Sequence, residues 1–240
     1  MNYQVFESPE AVIHSLAERL LYLSQEERPV HVSLSGGSTP KLLFKRLAQT
    51  PYNEGINWTN LHFWWGDERC VEPTDSESNF GEVNELLFKK IVIPEANIHR
   101  ILGENDPRQE VKRFSDEMIQ HIQSNNGLPE FDWIILGMGI DGHTASLFPN
   151  RTDYLEPAIA IVATHPESGQ IRVSKSARLI ENAKRITYLV LGENKAPILK
   201  EIQQNSAEKL PYPAARIKST NGQTEWFLDL QAAKMLSHGE

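Results

Sequence analysis

Cysteine is almost absent from this sequence, which has only Cys70 among its 240 residues. One thiol cannot form an intrachain disulfide, so we expect a protein of a reducing compartment, with a cytoplasmic location. Long apolar runs are also missing, since runs such as Trp133-Ile134-Ile135-Leu136 are far too short to span a bilayer. No basic segment followed by an apolar core is visible at the N-terminus, so no signal peptide is expected. These absences predict no membrane partner.

Positive charge is in short supply, because 24 Lys and Arg face 32 Asp and Glu, giving a formal net charge of −8. A nucleic-acid-binding protein would show a basic stripe, so no nucleic-acid partner is expected. An anionic ligand would be repelled by the overall field and would need a local group of amides, Arg and Lys. Metal-binding patterns such as His-Glu-x-x-His or a Cys/His cluster are absent as well, so we predict no metal and no other cofactor.

Short apolar runs alternate with helical patterns along the chain. Strands are expected at Val30–Leu34, Leu61–Trp65, Phe131–Leu136, Ala158–Ala163, Ile186–Leu191 and Glu225–Leu228. Helices are expected from Pro9 with Ser8 as the cap, over Pro40–Ala48 with Leu42, Leu43 and Leu47 on one face, over Asn79–Phe88, from Pro107, and over Glu193–Gln203. The alternation predicts one α/β domain over residues 1–240, a three-layer α/β/α fold with a mostly parallel, Rossmann-like open sheet. Oligomeric state is not predicted.

Four polar motifs each begin where a predicted strand ends. They are Ser35–Pro40, Gly66–Arg69, Gly137–His143 and Gly192–Ala196. In an open parallel sheet the carboxyl ends of the strands form one edge, and ligands bind in the crevice there. We therefore expect these four motifs, far apart in sequence, to meet at one edge of the sheet.

The first of these motifs has the composition of an anion-binding loop. Its candidate ligand-binding residues are Ser35, Gly36, Gly37, Ser38 and Thr39. Glycines let backbone N–H groups approach a ligand, and Pro40 begins a helix whose N-terminus favours negative charge. The alternative is a strand-to-helix turn without a ligand. No G-x-x-x-x-G-K-[ST] spacing is present, so this is not a Walker A loop.

The third motif carries the best candidate base, His143. Histidine ordinarily titrates near neutral pH, and this one follows a strand in a glycine-rich loop, two residues beyond Asp141. The alternative is a hydrogen-bonded structural histidine. Gly137–Gly142 matches G-x-G-x-x-G, but Pro149 interrupts the helix that a dinucleotide site needs, so NAD is not expected. The remaining histidines considered, expected at the surface or in packing, are His14, His99, His121, His165 and His238.

The second motif is a charge run, Asp67-Glu68-Arg69. Such runs are usually solvated ion pairs, but its place after a Trp-rich strand favours a role facing a ligand. Cys70 beside it is expected to be a small buried hydrophobe rather than a nucleophile. The absence of a G-x-S-x-G elbow disfavours a serine hydrolase.

With these motifs identified, the chain resembles the 6-phosphogluconolactonase family over nearly its whole length. The matching segments are S-G-G-S-T-P (35–40), F-W-W-G-D-E-R (63–69), S-N-F-G (78–81), L-G-M-G-I-D-G-H-T-A-S-L-F-P (136–149) and E-W-F-L-D (225–229). Related glucosamine-6-phosphate deaminases continue a similar D-G-H segment into F-N-E-P, whose Glu assists proton transfer. Here Ser146-Leu147-Phe148 replaces it, and Leu147 and Phe148 cannot transfer protons, which favours the lactonase.

The resemblance implies hydrolysis of 6-phospho-D-glucono-1,5-lactone to 6-phosphogluconate in the oxidative pentose phosphate pathway. It implies His143 as general base, Asp141 as its orienter, Arg69 near the lactone or its developing oxyanion, and Asp67 in the local polar network. The phosphate would be held by Ser35–Thr39, Arg172 and Lys195. From the residues alone, Arg172 could equally be an exposed strand arginine and Lys195 a surface lysine. Two alternatives stay open: a glucosamine-6-phosphate deaminase, and an inactive sugar-phosphate sensor.

Overall fold

A parallel sheet of seven strands lies at the centre of the computed structural model, which describes residues 1–237. His238 lies outside the described residues. The strands, in chain order, are β1 (Tyr3–Phe6), β2 (Val30–Leu34), β3 (Leu61–Trp65), β4 (Asp67–Arg69), β5 (Ile98–His99), β6 (Ser124–Asn125), β7 (Leu128–Pro129), β8 (Trp133–Leu136), β9 (Ala160–Thr164), β10 (Ile171–Lys175), β11 (Arg185–Val190) and β12 (Gln223–Asp229). The central sheet has the order β1-β12-β11-β8-β2-β3-β5, and its paired strands are parallel.

Helices flank this sheet, which confirms the predicted three-layer α/β/α class. They are α1 (Pro9–Leu23), α2 (Ser38–Leu47), α3 (Tyr52–Gly55), α4 (Asn79–Leu86), α5 (Pro107–His121), α6 (Ala177–Glu181), α7 (Ala196–Gln204), α8 (Pro213–Arg216) and α9 (Leu230–Ala233). Short 3₁₀ turns cover Phe88–Lys90, Glu95–Asn97, Glu193–Lys195 and Ala207–Lys209. Among the described residues, no helix combines the length and apolarity needed to cross a membrane.

Local sequence explains where α1 begins, and the structure corrects two predictions about α2. The Ser8 side chain accepts a hydrogen bond from the Ala11 amide, and Pro9 occupies the first turn of α1, as predicted. The second helix begins at Ser38 rather than at Pro40. Its predicted apolar face is partly wrong, because Leu42 is 42% exposed while Phe44 is buried.

The strand order reverses between β2 and β8. From β2 the chain moves towards β3 and β5, whereas from β8 it moves the other way, towards β11 and β12. Both strands are buried along their whole length, as expected at the middle of a sheet covered on both faces. The loops that follow β2 and β8 diverge from such a reversal, and a crevice opens between them.

A second sheet of three antiparallel strands, in the order β4-β10-β9, is found in the described part of the chain beside the end of β3. The predicted Ala158–Ala163 strand is present as β9, but it belongs to this small sheet and not to the central one. The register places Arg172 opposite Arg69 and Ser174 opposite Asp67. Gly66 joins the end of β3 to the start of β4.

Candidate active site

Residues from all four polar motifs line one cavity of about 300 Å³ at the carboxyl edge of the central sheet. The walls come from the loops after β2, β8 and β11 and from the small sheet. Of the predicted site residues, those that line it are Ser35, Gly36, Gly37, Ser38, Thr39, Asp67, Arg69, His143, Arg172 and Lys195. The remaining one, Asp141, stands behind His143. The cavity opens at the β2–β8 reversal, where the topology predicts a ligand crevice.

His143 and Asp141 form a closely bonded pair in the loop after β8. Nδ1 of His143 lies 2.6 Å from Oδ1 of Asp141, and the His143 amide donates to the same oxygen at 3.2 Å. Burial alone would raise the pKa of Asp141, but the charge and the hydrogen bond of His143 hold it below its ordinary value. A Cβ on Gly139 would lie 2.2 Å from Nδ1 of His143, so this position needs a glycine. The loop thus holds the imidazole in one orientation.

Asp67 and Arg172 lie on β4 and β10, neighbouring strands of the small sheet, and both are buried. Oδ2 of Asp67 accepts a hydrogen bond of 2.5 Å from the Ser146 hydroxyl and lies 3.9 Å from Nη1 of Arg172. Burial lowers the pKa of the Arg172 guanidinium, and the charge of Asp67 opposes that effect. The Arg172 side chain also donates to Gln170 through Nε at 3.1 Å. The exposed-arginine interpretation of Arg172 is therefore wrong.

Arg69 and Glu68, which follow Asp67 in the charge run, have different surroundings. Arg69 lines the cavity and donates through Nη1 to the Glu77 carbonyl at 2.5 Å. Glu68 is only 2% exposed, and its carboxylate accepts from the amides of Asn79 and Phe80 at 2.8 Å. Burial raises the pKa of Glu68, while these backbone bonds lower it. Glu68 therefore anchors the first turn of α4 and is not a solvated ion-pair residue.

The loop between β2 and α2 presents backbone groups to the cavity. Because α2 begins at Ser38, its first amides have no partner within the helix and are available to an anion. Gly37 has φ of +110°, in the region that favours glycine. The Ser35 hydroxyl donates to the Ile135 carbonyl at 2.8 Å, so Ser35 ties the loop to β8 through its side chain.

Lys195 closes the opposite wall, directly before α7. Its Nζ donates to the Met138 carbonyl at 2.7 Å, which draws the side chain over the β8 loop. Burial lowers the pKa of Lys195, and the charge of Asp141 raises it. Together with Arg69 and Arg172, this ammonium supplies the local positive charge that an anionic ligand requires in an acidic protein.

Asn79 and Ser146 also contribute to the site, although the sequence motifs assign them no role. Asn79 lines the cavity, and its Nδ2 donates to the Asp67 carbonyl at 2.9 Å. A Cβ on Gly36 would lie 1.9 Å from Oδ1 of Asn79, so the anion loop packs directly on this amide. Ser146 supports Asp67, as described above. Both lie in segments that match the family, S-N-F-G and S-L-F-P, which is the signal that could have identified them.

The histidines outside the site behave as predicted in part. His99 is buried and bonded to Glu117 at 2.7 Å, in agreement with a packing role. His165 lies closer to the site than expected, because its ring packs edge-on against Phe148, at 5.3 Å between centroids. Phe148 also packs against His143, at 5.2 Å. The three rings form a row beside the cavity.

Comparison with known proteins agrees with this geometry. The family model for glucosamine-6-phosphate isomerases and 6-phosphogluconolactonases matches residues 7–226, and the chain belongs to this family. A 6-phosphogluconolactonase of Haemophilus influenzae is 61% identical over 236 residues, covering 98% of this chain and all of the relative. The crystal structure of a devB protein superposes with a TM-score of 0.97 at 59% identity, covering 98% of this chain and 99% of that one. The 6-phosphogluconolactonase of Trypanosoma brucei has a TM-score of 0.85 at 25% identity, covering 98% of each chain.

Proposed function

We propose that this protein hydrolyses 6-phospho-D-glucono-1,5-lactone to 6-phosphogluconate, acting as one domain over residues 1–240 in the cytoplasm. The observation that carries the proposal is the His143–Asp141 pair, with 2.6 Å between Nδ1 and Oδ1, beside a cavity that holds three cationic side chains. The full-length similarity to a 6-phosphogluconolactonase at 61% identity supports the same reaction.

His143 is the general base in this proposal. When Nδ1–H donates to Asp141, Nε2 keeps its lone pair and can take a proton from water. The water oxygen bonds to the lactone carbonyl carbon, and the carbonyl oxygen becomes an oxyanion. As the bond from that carbon to the ring oxygen breaks, the imidazolium returns its proton to the ring oxygen. The products are a hydroxyl and a carboxylic acid, which ionises, so no covalent nucleophile is needed.

Arg69 is the group that we assign to the developing oxyanion. Its guanidinium lines the cavity and is oriented by the Glu77 carbonyl at 2.5 Å. Asp67 lies on the same strand and accepts from Ser146, which keeps its carboxylate fixed next to Arg172. We assign Asp67 to this polar network, where it balances the charge of the cations without contacting the base.

The substrate phosphate is assigned to the loop Ser35–Thr39, Arg172 and Lys195. Free amides at the start of α2 and a guanidinium suit phosphate oxygens, and the helix dipole adds to the attraction. Lys195 contributes a point charge from the opposite wall. Among the described residues, no hydrogen bond joins Arg172 or Lys195 to the His143 imidazole, so we assign binding and proton transfer to different residues.

The deciding experiment is a hydrolysis assay with freshly generated lactone, corrected for spontaneous hydrolysis at the same pH. The proposal requires that the protein accelerate hydrolysis and that His143→Asn lower this acceleration by about 10²-fold or more. Incubation with glucosamine 6-phosphate, with ammonia as the readout, tests the deaminase alternative; ammonia release without lactone turnover would replace our proposal. Phe148, which is buried and cannot transfer a proton, stands at the position of the glutamate in the deaminase segment F-N-E-P. Tight binding of 6-phosphogluconate by a protein that turns over neither substrate would indicate a sensor.

A further inference from the structure

A lysine side chain is completely buried beneath the small sheet. Lys175, the last residue of β10, has 0% of its surface exposed. Its Nζ donates to the Ser33 hydroxyl at 3.0 Å and to the Trp65 carbonyl. Nζ also lies 4.5 Å from the centre of the Phe131 ring and 5.2 Å from that of Phe114. Within residues 1–237, no carboxylate lies within ion-pair distance of it.

An ammonium at this place is costly for folding. Burial lowers the pKa of Lys175 well below its ordinary value, and the charge of Asp67 only opposes that effect. A methionine or leucine would fill a site walled by two phenylalanines without the desolvation cost. The polar contacts that Lys175 makes must therefore serve something other than packing.

Those contacts meet where the chain leaves the central sheet. The Lys175 amide donates to the Gly66 carbonyl at 2.8 Å, while its side chain bonds the carbonyl of Trp65. The Gly66 amide in turn donates to the Leu34 carbonyl at 2.9 Å. Lys175 thus holds two successive residues at the junction between β3 and β4. The next residue along the chain is Asp67.

We propose that Lys175 is a positioning residue, holding the Trp65–Gly66 junction so that the carboxylate of Asp67, the next residue, faces the cavity. This inference rests on the proposed lactone hydrolysis. The second hydrogen bond of the Lys175 side chain, to Ser33, connects the same junction to β2, the strand that leads into the anion-binding loop. The Lys175 side chain therefore connects β2 with the end of β3, at the point where Asp67 begins the small sheet.

The test compares Lys175→Met with Lys184→Met. Lys184 is the matched control because its ammonium also bonds a polar group at a strand, Asp132 at 2.9 Å, but it lies outside the cavity lining. We expect Lys175→Met to lower kcat by about tenfold or more with KM changed less than about threefold. Lys184→Met should leave both constants within about twofold. Circular dichroism and thermal melting establish that both variants are folded.

A double-mutant cycle with Asp67→Asn separates positioning from general loss of structure. If Lys175 acts through Asp67, then Lys175→Met should lower kcat less than about threefold in the Asp67→Asn background. The proposal would be overturned if the kcat losses of Lys175→Met and Asp67→Asn multiplied fully in the double variant, or if Lys175→Met kept the wild-type kcat. Should Lys175→Met not fold, Ser33→Ala removes one acceptor and no charge; an unchanged kcat there would overturn it equally. A wild-type protein without lactone turnover would instead refute the proposed function.

Discussion

Asp141 binds the imidazole of His143 through a single carboxylate oxygen, which lies 2.6 Å from Nδ1 and 3.2 Å from the His143 amide. The two residues are separated by Gly142 alone, so the orienting group and the proposed base are held by the same short loop. The Asp141 side chain is 48% exposed, whereas that of His143 is 29% exposed. His143 lines the cavity, whereas Asp141 is not among the residues that line it.

Replacing Asp141 by asparagine should reduce kcat by about 10²-fold with little change in KM. A neutral amide accepts more weakly, or presents its NH₂ to Nδ1 and moves the imidazole proton to Nε2. In the second case Nε2 cannot take a proton from water. The measurement is steady-state lactone hydrolysis with Asp153→Asn as the control, since Asp153 accepts a comparable local amide bond, from Leu155, away from the cavity. Equal activity of the two variants would contradict the assigned role of Asp141.

Arg172→Ala should raise KM far more than it lowers kcat. The phosphate is bound similarly in the ground and transition states, so loss of the Arg172 contact weakens the binding of the substrate and of the transition state equally. A lost charge-assisted contact costs about 1.5–3 kcal/mol, which corresponds to a KM increase of about tenfold or more. Arg178→Ala is the matched control, because Arg178 is exposed and, within residues 1–237, its side chain bonds only the Pro157 carbonyl. An unchanged KM in Arg172→Ala would remove Arg172 from the phosphate site.

Acid should destabilise the folded protein through His31 and His62. Burial, the largest cause, together with the neighbouring histidines lowers the pKa of His31 from 6.5 to about 3 and that of His62 from 6.5 to about 4. Below pH 6.5, His31 and His62 bind protons in the unfolded chain but stay neutral in the folded one. The free energy of unfolding is thus at its full value above 6.5 and falls as the pH drops towards 4 and 3.

Urea unfolding between about pH 7.5 and 4.5 measures this effect directly. His62→Asn should flatten the decline, because it removes one of the groups that must be kept neutral. Trp64 donates to Nδ1 of His31 at 3.1 Å, so His31 can accept a proton there only by breaking that bond. A decline of equal slope in wild type and His62→Asn would show that other groups cause the acid sensitivity.

The meeting of the four polar motifs could be predicted from sequence because it follows from topology. Any parallel sheet brings the carboxyl ends of its strands to one edge. The short distance between the Ser35 and His143 loops also requires that β2 and β8 be neighbours, which only the structure shows. The pairing of Asp141 with His143 is also local, since the two residues share one loop. These parts of the site required no knowledge of side-chain packing.

Other parts depend on contacts between distant segments and carry no local signal. The strands β1 and β5 have four and two residues, too few for a periodic pattern to stand out. Lys175 appears in sequence as an ordinary charged residue, and only the fold places it under the small sheet. The sequence pattern predicts Leu42 on one face with Leu43 and Leu47, but Phe44 is buried with those two residues and Leu42 is exposed.

Activity should survive prolonged treatment with excess EDTA. Among residues 1–237, no group of three or more His, Cys, Asp and Glu side chains is arranged to hold a metal ion. The proposed chemistry assigns the oxyanion to Arg69 and the proton to His143, so no step calls for a Lewis acid. The assay compares treated and untreated enzyme after gel filtration. Loss of activity that one particular divalent ion restores would contradict the proposal that no cofactor is required.

His143→Asn should lower kcat by about 10²–10⁴-fold, because asparagine preserves size and some hydrogen bonding but cannot act as the base. The change in KM should be small, since the phosphate is assigned to Arg172, Lys195 and the loop after β2. In the wild type the base must be neutral, so kcat should fall on the acidic side of the pH–rate profile, and this limb should vanish in the variant. Both profiles are measured beside a reaction without enzyme, because spontaneous hydrolysis sets the lower limit. A variant that keeps the wild-type kcat and the same acidic limb would show that another group, Asp67 or Asp141, removes the proton.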